Sequence, residues 1–201
     1  MTSLRASLAA GLMAGLIALT PVPAAALTTD EAEVLTEQVV EEILGFAKSE
    51  RTLDEKIIAF RNAMDRYADM PSIARFALGI TWREATDAQK EAYTVAFGDY
   101  LAQKYGQQFE RFNNHEIEVT GALDIGRRGI VVNSELIRTG ETPVIVEWQF
   151  SDRSGEALLV DIVVEGLSLL QTERQEIASK LDARGGNLDR LIADLPTVNS
   201  R

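Results

Sequence analysis

The amino-acid sequence predicts an α+β fold: helices first, then a twisted antiparallel sheet of about four strands covered on one side, then helices again. Three observations carry this reading. Apolar residues recur at intervals of three and four up to about residue 113. From there to about residue 164 they alternate, and afterwards the helical spacing returns. No repeat, low-complexity tract or long linker breaks the pattern, and the length suits one domain with a sizeable core.

Residues 1–26 read as a cleaved secretory signal peptide. Arg5 is the positive start, Ala6 to Leu19 is an uncharged and mostly apolar stretch, and Ala24-Ala25-Ala26 is a small-residue cleavage site. The apolar stretch has 14 residues, short of the roughly 20 a spanning helix needs. The expected mature chain is therefore a single domain, residues 27–201, exported to a bacterial periplasm.

The helices announce themselves by their caps. Thr28-Thr29-Asp30-Glu31 and Thr52-Leu53-Asp54-Glu55 have the capping-box pattern, and Thr86-Asp87-Ala88-Gln89 opens the longest helix. Pro71 suits the first turn of a short helix ending at Gly79. Strands are expected over His115–Thr120, Ile130–Arg138, Pro143–Phe150 and Leu158–Val164, with turns at Thr139-Gly140-Glu141 and Asp152-Arg153-Ser154-Gly155. Helices from about Ser168 to Ala183 and from Asn187 to Leu195 close the chain, with Ser168 as an N-cap.

Alternate residues of a strand share a face. One face would carry Ile130, Val132, Ser134 and Leu136; Val144, Val146, Trp148 and Phe150; and Leu158, Val160, Ile162 and Val164. It holds one hydroxyl and no ionisable group, whereas the other face carries Glu135, Glu147 and Asp161. A packed core and the wall of an apolar cavity use the same residue types, so both remain open. General acid–base chemistry, which needs ionisable groups facing the cavity, finds none on this face.

Composition narrows the function further. The chain carries 31 acidic and 20 basic residues, a net charge of −11, and −12 once the segment holding Arg5 is removed. Such a surface repels phosphate backbones, so no nucleic-acid partner is expected. There is no Cys and one His, His115, which argues against thiol catalysis, a zinc site and a histidine relay. No catalytic residue, metal or cofactor is expected, and His115 reads as a surface residue beside Glu116.

Two stretches resemble a known family. Asp161-Ile162-Val163-Val164-Glu165-Gly166-Leu167-Ser168-Leu169-Leu170-Gln171-Thr172, with Arg174, resembles the strand-to-helix signature of the MlaC family, also called the toluene-tolerance family. Ile73-Ala74-Arg75-Phe76-Ala77-Leu78-Gly79, followed by Trp82-Arg83-Glu84-Ala85-Thr86, is similar to its other hallmark. The likeness runs from about Thr29 to Leu195. Ile80-Thr81 departs from the more usual aromatic or basic residue, and Leu167 takes a position often held by Val. The resemblance implies an NTF2-like or cystatin-like roll with a deep apolar pocket between helices and sheet. It implies a monomeric periplasmic phospholipid carrier that helps maintain outer-membrane lipid asymmetry, with phospholipid as cargo. Its implied partners are an outer-membrane lipoprotein complex and an inner-membrane MCE-domain ABC transporter.

Other readings stay open: a carrier of hopanoid or another apolar lipid, an NTF2-like enzyme using a residue such as Asp99 or Tyr100, or an interaction module without ligand. For the pocket itself, the expected lipid-binding residues are Val132, Val146, Trp148, Val160, Ile162 and Val164 from the sheet. From the helices they are Phe76, Leu78, Phe97, Leu101 and Tyr105. Phe97, Leu101 and Tyr105 are four apart and form one stripe. Two acyl tails need on the order of 1,000 Å3.

Overall fold

The computed structural model describes residues 26–109, 115–138 and 140–197. The helices are α1 (Thr29–Ala47), α2 (Leu53–Tyr67), α3 (Met70–Leu78), the one-turn α4 (Thr81–Glu84), α5 (Asp87–Gly106), α6 (Leu169–Asp182) and α7 (Leu188–Asp194). The strands are β1 (Glu116–Asp124), β2 (Ile130–Ile137), β3 (Val144–Ser151), β4 (Leu158–Val164) and β5 (Leu167–Ser168). They form one antiparallel sheet in sequence order, a meander.

The capping boxes form as the local sequence requires. Thr28, Thr52 and Thr86 each accept a hydrogen bond from the backbone three residues on, and Glu31, Glu55 and Gln89 bond back to the cap. Ser168 caps α6, accepting from the Gln171 N–H at 3.0 Å. β1 runs four residues further than predicted, and the two-residue β5 was not anticipated. The nine-residue β1 contains a bulge between Val119 and Gly121, which lets the strand bend and continue.

The register of β2 on β3 places Ile130, Val132, Ser134 and Leu136 opposite Phe150, Trp148, Val146 and Val144. The predicted face is therefore real in these two strands. α1 lies across it, against β1 and β2, and contributes Ala32, Val39 and Val40 to the same cluster. On β4 the prediction needs correction. Trp148 faces Ile162, but Phe150 faces Leu159, so a bulge leaves Val160 without a partner. Beyond that bulge the alternation changes phase. Leu159 takes the place expected of Leu158, and neither Val160 nor Leu158 is among the described residues packed in the cluster.

His115 is also corrected: it is 5% exposed, not a surface residue. It has the parity of Ile117 and Val119, which pack toward the core from β1, so the strand carries it inward.

A second cluster is wholly helical. Met70, Ala74, Ala77 and Leu78 of α3 meet Tyr93, Phe97, Tyr100 and Leu101 of α5, Ile177 and Leu181 of α6, and Leu188 and Leu191 of α7. Tyr93, Phe97 and Tyr100 stack along α5 with centroids 5.5 and 6.1 Å apart. The two clusters meet along β4, which touches both α3 and α6. The link between α2 and α3 is fastened there: the Asp69 N–H donates to the Leu159 carbonyl at 2.9 Å, and Ala68 bridges Leu159 in parallel.

Candidate functional site

The inner face of the sheet contains a single hydroxyl, and the structure uses it up. Ser134 Oγ donates to the Val146 carbonyl at 2.9 Å and accepts from Trp148 Nε1 at 2.9 Å. The indole N–H and the hydroxyl thus satisfy one another, and the face offers apolar surface alone. β2 and β3 are sealed beneath α1, with Val132 and Phe150 fully buried and Trp148 at 4% exposure. β4 is different. Every residue from Leu158 to Val164 is only half-buried, Ile162 and Val164 among them. The apolar face therefore runs outward, from a closed centre under α1 to a partly open border beside α3 and α6.

On the helical side, half-buried Met64, Ala68, Ile73 and Tyr105 fringe the second cluster. Behind them lies a polar network that the apolar pattern does not announce. Glu173, 3% exposed, accepts from Lys104 Nζ at 2.7 Å and from the Tyr105 hydroxyl at 2.6 Å. Lys104 also donates to Glu176 at 2.6 Å, and the Tyr100 hydroxyl donates to Glu176 at 2.7 Å. Burial opposes ionisation of Glu176, but the Lys104 and Tyr100 hydrogen bonds and the charges of Lys104 and Lys180 outweigh it. They hold its carboxyl below the usual range. Burial and the neighbouring carboxylates push the phenols of Tyr100 and Tyr105 up, so both stay protonated donors. Lys104 is held above its ordinary value by Glu173 and Glu176, against its own desolvation. This is a structural ion cluster tying α5 to α6. Tyr100 is thereby engaged at 1% exposure, and Asp99 pairs with Arg61 Nε at 2.9 Å.

The two stretches that carried the family resemblance turn out to be two sides of one contact. Arg174, on α6, donates to the Phe76 carbonyl at 3.0 Å, and its guanidinium lies over the Phe76 ring, 4.9 Å from the centroid. A β-carbon on Gly79, whose φ is +66°, would stand 3.2 Å from the same guanidinium. The backbone thus favours glycine at Gly79, and a side chain there would also press on Arg174. Asp161 completes the motif by accepting from the Ser168 hydroxyl at 2.6 Å and the Leu170 N–H at 3.0 Å, which fixes the start of α6 against β4.

The predicted lining residues fall into separate places. Val132, Val146 and Trp148 belong to the sheet cluster, with Ile162 and Val164 at its margin. Leu78, Phe97 and Leu101 belong to the helical cluster, with Tyr105 at its margin and Phe76 under Arg174. Among the described residues, the helix stripe and the sheet face belong to two separate clusters. Two surface grooves stand out among the described residues. One of about 610 Å3 lies between the start of α1 and the β3–β4 turn, and one of about 540 Å3 lies along the outside of α5. Neither is lined by a residue predicted for the pocket. Glu173 and Arg174 were missed as interior or positioning groups. A signal existed for Glu173: Leu170, Glu173, Ile177 and Leu181 have core spacing, so an acid there needed a buried partner. Among the described residues no three His, Cys, Asp or Glu are grouped to hold a metal, and no helix is long and apolar enough to cross a membrane.

Such an architecture defines a class: an α+β domain whose sheet turns an apolar, charge-free face toward its helices and leaves the last long strand half-covered. The chain belongs to the MlaC family, whose model, described as MlaC protein, matches residues 36–197. It is 24% identical over 139 residues to the intermembrane phospholipid transport system binding protein MlaC of Haemophilus influenzae. It is 26% identical over 142 residues to a toluene tolerance protein of Pseudomonas putida. Each match covers 67% of this chain and spans 64% and 65% of those relatives. Among solved structures, a phospholipid-binding protein from Ralstonia solanacearum, in complex with a phospholipid, superimposes with a TM-score of 0.69 at 22% identity. That match covers 84% of this chain and 97% of the other, and it bears out the α+β fold.

Proposed function

We propose that this protein is an exported phospholipid carrier, which holds acyl tails against the inner face of its sheet and shuttles lipid between membranes. The observation that carries the reading is the apolar face itself: no ionisable group on it from β2, β3 or β4, its one hydroxyl satisfied internally, and a border at β4 that is only half-covered. The names of the relatives and the lipid in the Ralstonia solanacearum protein support the same cargo. Tails would enter along β4, where α3 and α6 meet the sheet, with Phe76, Leu78, Phe97, Leu101 and Tyr105 on the helical side. Trp148, Val146, Val132, Ile162 and Val164 would form the opposite wall, with Leu159 in the place expected of Val160.

Two tails carry roughly 30 methylenes at about 0.8 kcal/mol each, so ~25 kcal/mol opposes their exposure to water. Spontaneous release is therefore slow, and a carrier unloads where a partner supplies a continuous apolar path. An outer-membrane lipoprotein complex and an inner-membrane MCE-domain ABC transporter are the proposed donors and acceptors. Cleavage after Ala26 would free the chain into the periplasm. Binding, not turnover, is the activity.

The test is organic extraction of the purified exported protein followed by mass spectrometry. About one glycerophospholipid per chain is expected. A polycyclic lipid in its place would change the cargo class. A protein that neither carries lipid nor takes it up after delipidation would refute the carrier reading.

A further inference from the structure

The backbone nitrogen of Leu27 donates to Asp152 Oδ2 at 3.2 Å, across a sequence separation of 125 residues. Asp152 sits in the turn between β3 and β4. The Leu27 side chain packs on the cluster between α1 and the sheet, so the nitrogen is held in position by an anchored residue. Leu27, Asp30, Glu31 and Asp152 line one groove of about 610 Å3. We propose that proteolytic maturation between Ala26 and Leu27 converts this bond into an ion pair, so that the new N-terminus becomes a charged clasp between the start of α1 and the β3–β4 turn.

The inference rests on the cleavage site proposed above and not on the lipid cargo. Hydrolysis by an export signal peptidase consumes one water. The Ala26–Leu27 C–N bond breaks, the water oxygen ends in the Ala26 carboxylate, and both water hydrogens end on the Leu27 nitrogen, which becomes an ammonium. A neutral amide with one N–H becomes a cation with three. Charge-assisted hydrogen bonds are shorter and stronger than neutral ones.

The surroundings set the sign. From α1, Asp30 and Glu31 face the groove; from the turn, Asp152 does. Glu31 is already ionised in the capping box: hydrogen bonds from the Thr28 backbone and hydroxyl hold its carboxyl below the usual range. Against these stand Arg153, next in the turn, and the positive end of the α1 dipole. Asp152 touches the nitrogen directly and Asp30 and Glu31 line the same groove, so the amine should titrate above the roughly 7.7–8.0 of a free α-amine. A raised pKa means that the clasp contributes below that range and is lost as pH rises through the folded value. α1 covers the apolar face of β1 and β2, so the clasp ties down the end of the helix that closes the face.

The experiment has two arms. N-terminal sequencing of exported protein should return Leu27; any other start places the ammonium elsewhere and overturns the inference, whatever lipid is bound. NMR titration of the α-amine is then compared in the chain starting at Leu27, its Asp152→Asn variant, and a chain extended to begin at Ala25. The Leu27 chain should titrate above the ordinary range, while Asp152→Asn and the extended chain should fall back toward it. An amine in the Leu27 chain that titrates in the ordinary range, or that Asp152→Asn leaves unmoved, would overturn the clasp even if cleavage and lipid binding both hold.

Discussion

The sheet cluster and the helical cluster are packed by different rules. Under α1 the sheet contributes Val132, Val146, Trp148 and Phe150, with one internally satisfied hydroxyl and no charge. Between α5 and α6 the helices bury Glu173 with Lys104, Tyr105 and Glu176 close by. A charge-free face can exchange its apolar neighbours for other apolar groups at little electrostatic cost. A buried ion cluster cannot, because each member is balanced by a specific partner. Under the proposed function, the ion cluster keeps the helical half in shape and the charge-free face is the part that takes up tails.

The largest effect is expected in the rigid half. Lys104→Met leaves Glu173 buried without its cation and should destabilise the protein by roughly 3 kcal/mol. Adding Glu173→Leu should restore much of that loss, since both charges are then gone. Denaturant melts of the single and double variants check this. A single variant as stable as the parent would show that the helical cluster does not depend on its charges.

A smaller effect separates the centre of the apolar face from its border. Val146 is 6% exposed, so Val146→Trp should overpack and cost roughly 1–3 kcal/mol. Ile162 is half-buried on β4, so Ile162→Trp should change stability by less than about 1 kcal/mol. Recovered phospholipid should nevertheless fall. Melting temperatures of delipidated forms are the proper comparison, because bound lipid itself raises them. Unchanged lipid content in both variants would remove the sheet face from the binding site.

The smallest effect is a pH dependence in the helical half. The folded pKa of Glu176 is lowered, so its contribution is present above the ordinary carboxylate value and lost as pH falls through the folded one. Glu176→Gln should flatten the fall in melting temperature below about pH 4.5, the ordinary value of the group. An acid limb of unchanged slope would show that Lys104 and Tyr100 do not favour its ionised form.

Where chemistry is local, the sequence was legible. Thr28, Thr52 and Thr86 satisfy their own helix starts within three residues, so their boxes could be read directly. β2 and β3 were legible because Asn133, Glu135, Glu147 and Gln149 mark one face as solvated. β4 was not: apart from Asp161, Leu158 to Val164 is apolar on both parities, and a bulge at Val160 leaves no trace in such a run. β5 is two residues long, too short for any period. The candidate lining was legible as apolar, yet its partition into two clusters depends on how α3 and α6 dock against β4. Arg174 joins the two helices by contacts on Phe76 and Gly79, 98 and 95 residues away in the chain. The two motifs that carried the family resemblance meet in this contact.

Trp148 offers the most direct measurement. The chain has two tryptophans, one on the apolar face and one, Trp82, beside the helical cluster. With Trp82→Phe, fluorescence reports the face alone, and a phospholipid brominated on its acyl chains quenches an indole only at close range. Tails lying on the sheet predict strong quenching of Trp148 on loading, and weak quenching of Trp82 in the reciprocal Trp148→Phe variant. Stoichiometric uptake of the brominated lipid with Trp148 fluorescence unchanged would contradict tail binding on the sheet face.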